Sequence, residues 1–264
     1  MAESEAGEIV HELGGVDADL GGLINDSVRQ FSKDIGPYIL AGMGQFAVVV
    51  PVSMIAGMVS YFGVVVGMMG GWVVGIIAMA LLAQLGDLGA ALGAVVMVAS
   101  PFIGMALVLL PILPVVAAIV APVQASLMRA IAAHQRGEQE LSVSSPFDTA
   151  TQDLARVVIT SILLTGLTLV GLLFCYVGAL AVPILFGFVH TLVVLHRRSP
   201  MEAFAIQFRH LLAHGNQHLM LGVLQIALGM IAGFVPVIGP MFMADMQVRA
   251  HRKLFGDGPE PVVS

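Results

Sequence analysis

Few residue types in this chain could do chemistry. His210, His214 and His218 recur at i, i+4 and i+8, which puts three imidazoles on one face of an uninterrupted helix. Neutral imidazoles at that spacing can hold zinc. Gly215 and Asn216 stand between the second and third, where they are expected to end the helix, and no carboxylate or cysteine is near in sequence. Those neighbours favour histidines at the lipid–water boundary, where a polar tip on an apolar ring is useful, over a metal site. Asp245 and Arg249 lie four apart with the acid first, the order that favours an ion pair on a helix. A carboxylate in an apolar segment is a candidate proton relay. Arg249 supplies the compensation that a buried carboxylate requires, so the pair reads first as structural. His190 is the titratable side chain well inside its apolar run. It could relay a proton, but a hydrogen bond to a neighbouring helix is the commoner role.

Enzyme motifs are missing. There is no H-E-x-x-H for a metalloprotease and no G-x-x-x-x-G-K-[ST] loop for a nucleotide. There is no G-x-S-x-G nucleophile elbow. The segments between apolar runs are too short for a separate catalytic domain. The sequence therefore points to a non-enzymatic protein with no cofactor. No basic patch is dense enough for nucleic acid. Cys175 is the single cysteine, so no internal disulfide can form.

The elements that must position these residues are dictated by hydrophobicity. Of 264 residues, 58% are hydrophobic and 11% charged, with a mean hydropathy of +0.96; soluble domains carry about twice that charge. Runs of 52, 41, 40 and 35 residues (35–86, 88–128, 157–196 and 210–244) contain no Asp, Glu, Lys or Arg. One membrane crossing takes roughly 20 apolar residues, so each run is long enough for a hairpin. The expected breaks are near residues 57–61, at Pro111 and Pro114, near 176–178, and at 236–240. All eleven Lys and Arg fall in four places: 29–33, 129–156, 197–209 and 249–253. Hairpins put all four on one side, as the positive-inside rule asks, and leave both termini cytoplasmic. The hairpins at 88–128 and 217–252 are short enough to be re-entrant. Re-entrant backbone is tolerated where protein or water satisfies it. The expectation is an all-α polytopic membrane bundle of six to eight helices arranged as hairpins, in a bacterial inner membrane.

Amphipathic segments precede three of the hairpins. Residues 19–35 show Leu20, Leu23, Ile24, Val28, Phe31 and Ile35 at helical spacing. Ser145-Pro146-Phe147-Asp148 and Ser199-Pro200-Met201-Glu202 both read as a cap, a proline at the first helical position and an acid at the third. Their stripes are Phe147, Ala150, Leu154 and Val157, and Met201, Phe204, Phe208, Leu211 and Leu212. Such helices suit the cytoplasmic interface, the alternative being a cap packed on the bundle. These segments, the Gly233-Phe234-Val235-Pro236-Val237-Ile238-Gly239-Pro240 stretch and the closing Arg249-Ala250-His251-Arg252-Lys253-Leu254-Phe255-Gly256 make residues 120–256 resemble YciC-type bacterial membrane proteins. They are similar, too, to the membrane domain fused to some glycerophosphodiester phosphodiesterases. A weaker likeness is to CysZ-type sulfate permeases, which also combine full spans with partly inserted hairpins. Neither resemblance implies catalytic residues.

Glycines at 63, 67, 71 and 75 recur every fourth residue, and Gly229 and Gly233 form a further pair. On a helix such glycines make a groove for another backbone, within the chain or between copies in a homo-oligomer. Residues 1–34 carry eight acids and two bases, and residues 35–264 balance at nine of each. Residues 1–16 read as an acidic disordered tail able to recruit a protein partner. Residues 17–256 form a single membrane domain of two loosely similar halves, 17–140 and 141–256, and 257–264 a flexible tail. The function expected is that of a membrane-organising or accessory protein that packs or self-associates in the lipid bilayer. The alternative is a small-solute or anion permease using its broken helices, whose exposed dipole ends and carbonyls can bind ions.

Overall fold

A computed structural model describes residues 20–173, 177–232 and 234–255, and the described residues form ten helices and no strands. They are α1 (Leu20–Lys33), α2 (Ile35–Ala83), α3 (Asp87–Gln135), α4 (Ser145–Asp148) and α5 (Leu154–Leu173), then α6 (Val177–Phe186), α7 (Val189–Leu195), α8 (Pro200–Ala213), α9 (Gly215–Ala232) and α10 (Ile238–Phe255). Four segments are long and apolar enough to cross a membrane: Ile35–Ala83, Asp87–Ile112, Pro114–Gln135 and Leu154–Gly171. The chain is an all-α integral membrane protein that contacts the bilayer. The expected tails at 1–16 and 257–264, Cys175, and the turn at Tyr176 lie outside the described residues.

The expected breaks near 57–61 and 111–114 do not occur. α2 runs unbroken through Gly57, and α3 through Pro101, Pro111, Pro114 and Pro122. The reason is energetic. A glycine inside a helix costs about 1 kcal/mol and a proline about 3 kcal/mol. Ending a helix strands four N–H and four C=O groups, each costing several kcal/mol where no water reaches. Within hydrocarbon, continuing is the cheaper choice. The result is one antiparallel hairpin of two 49-residue helices, about 74 Å long at 1.5 Å per residue. Its tip, residues 84–86, is closed by short turn hydrogen bonds, with Gly86 at φ 84°.

The packed core sits at the other end. Half of the apolar window in Pro114–Gln135 is buried, against 11% in Ile35–Ala83 and in Asp87–Ile112. One apolar cluster there joins Phe31, Tyr38, Leu127, Ile131, Val157, Met241 and Val248, tying α1, α2, α3, α5 and α10 together. A second joins Leu23, Phe188, Leu192, Ala203, Leu221 and Leu254, adding α7, α8 and α9. α9 and α10 turn back shallowly. A Cβ on Gly42 would meet Val237 and Met241, so the turn before α10 lies only two helical turns above the start of α2.

The three amphipathic segments fare differently. α1 buries Leu23, Ser27 and Phe31 and leaves Val28 exposed, so it packs as a cap against the base. The second expected helix stops after four residues. Ser126 Oγ on α3 accepts from the Thr149 N–H at 3.0 Å and donates to the Ser145 carbonyl at 2.9 Å, taking both partners of the bond that would have continued α4. The third forms as expected, with a capping box: Ser199 Oγ accepts from the Glu202 N–H, and Glu202 Oε2 accepts from the Ser199 N–H at 3.0 Å. α8 is turned inside out for a soluble helix. It buries Ala203, Gln207 and His210 and exposes Met201, Phe208 and Leu212 on the opposite face.

Candidate functional site

Asp245 lies at the centre of the base and is fully buried. Tyr38 Oη from α2 donates to its Oδ1 at 2.5 Å, and Gln135 Nε2 from α3 does so at 2.7 Å. Arg249 Nε donates to Oδ2 at 2.8 Å, one turn along α10. The carboxylate therefore joins the two ends of the long hairpin to α10. Burial lowers the Arg249 pKa and the bonds and charge of Asp245 raise it, with the net effect upward. The arrangement is a satisfied ion pair within a polar knot, because each carboxylate oxygen has a donor. The network continues outward. Arg252 Nη1 donates to Gln135 Oε1 at 3.0 Å and its Nη2 to the Ala132 carbonyl at 2.8 Å.

Arg252 also lines a cavity of about 360 Å³ beside the knot. Its walls include Arg129, Arg136, Arg197, His251, Glu138 and Asp148. Arg129 is held by the carbonyls of Thr149 (3.0 Å) and Gln152 (3.2 Å). Arg136 is paired with Glu138, its Nε 2.5 Å and its Nη2 2.8 Å from the carboxylate. Behind the wall, Asp153 stands 3.8 Å from each of Arg129, Arg156 and Arg197. Bases from three separate stretches of sequence thus converge on one end of the molecule.

His210, His214 and His218 come together at the corner between α8 and α9. The helix breaks at His214, one residue earlier than Gly215. His210 Nδ1 and His218 Nδ1 are 3.4 Å apart, and His218 Nε2 lies 3.1 Å from both Gln207 Nε2 and the Leu185 carbonyl. Burial, then the neighbouring His218 and His214 rings, push His210 down to about 4. Burial lowers His218 against the opposing pull of the Leu185 and Ile184 carbonyls. Among the described residues no three His, Cys, Asp or Glu side chains form a group that could hold a metal ion. The cluster pins α8, through Gln207, and α9, through His218, to the last turn of α6 at the Leu185 carbonyl. His190 is buried in α7, and its Nε2 meets no hydrogen-bond partner among the described residues, so the expected bond to a neighbouring helix is not made there.

The glycine seam closes the long hairpin on itself. A Cβ at Gly63 would run into Val108 Cγ1, at Gly67 it would stand 2.5 Å from the Gly104 carbonyl oxygen, and at Gly71 it would run into the Ser100 carbonyl oxygen. Gly75 faces Ser100 and Met97 in the same way, and Gly104 faces Gly67. At Gly67, Gly71, Gly75 and Gly104 only glycine lets the two backbones touch, while Gly63 makes room for the Val108 side chain. Gly229 has merely Met243 Cε at 3.8 Å, and Gly233 lies outside the described residues.

Tyr38, Gln135, Arg129, Arg197 and His251 were not legible as site residues. Their one signal was position: each sits at or just beyond the end of an apolar run, where side-chain partners are set by which ends meet. No protein-family model, no curated protein and no solved structure matches this chain.

Proposed function

We propose that this is a non-enzymatic, bilayer-embedded protein that organises or shapes the membrane around it. The observation that carries the proposal is the long hairpin. Its inner seam is shut by backbone contact at Gly67 and Gly104. Its outer surface is apolar to the tip, with Met54, Phe62, Trp72, Ile77, Leu85, Val95 and Leu107 all exposed. A closed pair of helices with an apolar exterior is built to meet lipid, not to pass solutes. The exposed Met201, Phe208 and Leu212 stripe of α8 suits insertion at the interface beside the base.

Length constrains the way the hairpin sits. A straight 74 Å hairpin exceeds a hydrocarbon core of about 30 Å more than twofold. Continuing the register of the seam sets residues 57–60 level with Pro111 and Pro114. Both helices are weakest at that level, and each half is about one bilayer long. The reading we favour folds the hairpin back there in a bacterial inner membrane, at the level where it has crossed one bilayer and water can satisfy the freed backbone groups, so the cost of a break inside hydrocarbon does not apply; the basic base and both termini are then cytoplasmic. Association of copies along the apolar exterior is compatible with it. A single cysteine at Asp87, with Cys175 removed, is then labelled by an impermeant thiol reagent only in opened membranes. Labelling from outside intact cells would overturn the fold-back.

Reconstitution tests the function. Vesicles carrying the protein should shift toward smaller diameter and show no flux of trapped sulfate or phosphate above protein-free controls. Saturable flux with unchanged vesicle size would select the permease instead. The arginine-lined cavity is the feature that favours that second reading.

A further inference from the structure

The cavity at the base has no part in the bilayer role proposed above, yet its chemistry is specific. We infer that it binds a phosphate-type oxyanion, carried either by a lipid headgroup or by a free anion. Four guanidinium groups line it, from Arg129, Arg136, Arg197 and Arg252, against the two carboxylates Glu138 and Asp148. Glu138 is already taken by Arg136. Asp153 serves Arg129, Arg156 and Arg197 together, each at 3.8 Å, so one negative charge is shared by three cations. Among the described residues that line the cavity, guanidinium groups outnumber carboxylates four to two.

Donors are waiting as well. His251 lines the cavity, is 0% exposed, and neither ring nitrogen has a hydrogen-bond partner among the described residues. Arg129 Nε is buried and also unpartnered. Buried donors are almost always satisfied, so unmet ones beside an open chamber point to a missing acceptor. The Thr149 and Gln152 carbonyls fix the Arg129 guanidinium, so its orientation is set before a ligand arrives. Guanidinium forks match phosphate oxygens, and several of them exceed what one carboxylate can use. The volume of about 360 Å³ is an order of magnitude above a water's share of about 30 Å³ and falls among small-ligand sites. A glycerophosphate-sized group fits that space. The cavity lies at the last turns of α3, where the apolar surface begins, and basic pockets at that level take up anionic headgroups.

The test uses the full chain in an uncharged detergent. It is titrated with inorganic phosphate, with short-chain phosphatidic acid and with short-chain phosphatidylcholine, followed by phosphorus NMR line broadening and thermal shift. Saturable binding of phosphate and phosphatidic acid, with none of phosphatidylcholine, is the expected result. Binding of phosphatidic acid alone assigns the site to a headgroup, and binding of phosphate alone assigns it to a soluble anion. Arg197→Gln, at the exposed rim, and His251→Ala should each weaken binding by about tenfold or more. Arg209→Gln, the same charge change on α8 outside the cavity, should leave it within about twofold. No saturable binding of either anion by the intact protein, or equal losses from Arg197→Gln and Arg209→Gln, would overturn the inference. These titrations read binding and the reconstitution reads vesicle size and flux, so failure of the site and failure of the bilayer role are told apart.

Discussion

Replacing Asp245 by alanine tests whether the polar knot holds the hairpin to its base. The carboxylate is fully buried and accepts from Tyr38 at 2.5 Å, Gln135 at 2.7 Å and Arg249 at 2.8 Å. Its removal leaves the Arg249 side chain, 17% exposed, without a counter-charge. Breaking a buried pair by deleting one partner costs about 3–5 kcal/mol. Tyr38→Phe removes one donor to a charged acceptor and should cost about 1.5–3 kcal/mol. The double variant Asp245→Ala with Arg249→Met removes the stranded cation too. It should be more stable than Asp245→Ala alone by about 1–2 kcal/mol, because it removes the stranded cation while Tyr38 and Gln135 still lack their acceptor. Titration with sodium dodecyl sulfate in mixed micelles, read by helical circular dichroism, gives the differences. A loss under about 1 kcal/mol for Asp245→Ala, or a double variant less stable than the single, would refute the reasoning.

Further outcomes follow from the same geometry. Gly67→Ala should destabilise the hairpin by about 1–3 kcal/mol, as overpacking does, while Gly57→Ala and Gly70→Ala, with nothing within 4 Å, should gain up to about 1 kcal/mol; equal effects at Gly67 and Gly70 in the same titration would show that the seam is not inside the hairpin. His210 is held at about 4 in the folded chain, below its unfolded value of 6.5, so between those values the unfolded state binds the extra proton. Stability is full above about pH 6.5 and falls as pH drops toward 4, with His218 and His251 shifted the same way. Thermal midpoints measured at about pH 7.5 and 5 should decline, and His210→Asn should flatten the decline; a midpoint unchanged across that range contradicts it. Ser199→Ala removes the acceptor that caps α8 and should cost about 1 kcal/mol, seen as a lower thermal midpoint.

Hydrophobic run lengths were enough to set the class. A stretch of 52 uncharged residues has no stable home in water, so helices in a membrane follow from composition alone. The glycine spacing, the capping box at Ser199 and the acid-first order of Asp245 and Arg249 were equally visible, because each is a contact within one helix or one face. The helix boundaries were less so. Gly57, Pro111 and Pro114 read as breaks, yet the helices run through them, because one glycine or proline costs less than the backbone groups that a break leaves without partners. The second capping signal failed for a tertiary reason: Ser126, nineteen residues before Ser145, occupies the hydrogen bond on which α4 depended.

What the sequence could not contain is which ends meet. Arg129, Arg197 and Arg252 are far apart along the chain and served only as markers of the sidedness of the spans. Folding brings them to one chamber with His251, and brings Tyr38 and Gln135 to one carboxylate. Membrane class is a sum over local transfer energies, so it can be read residue by residue. A cavity, or a polar network that joins several helices, is a property of juxtaposition, fixed by how the helices pack, and no local pattern encodes it.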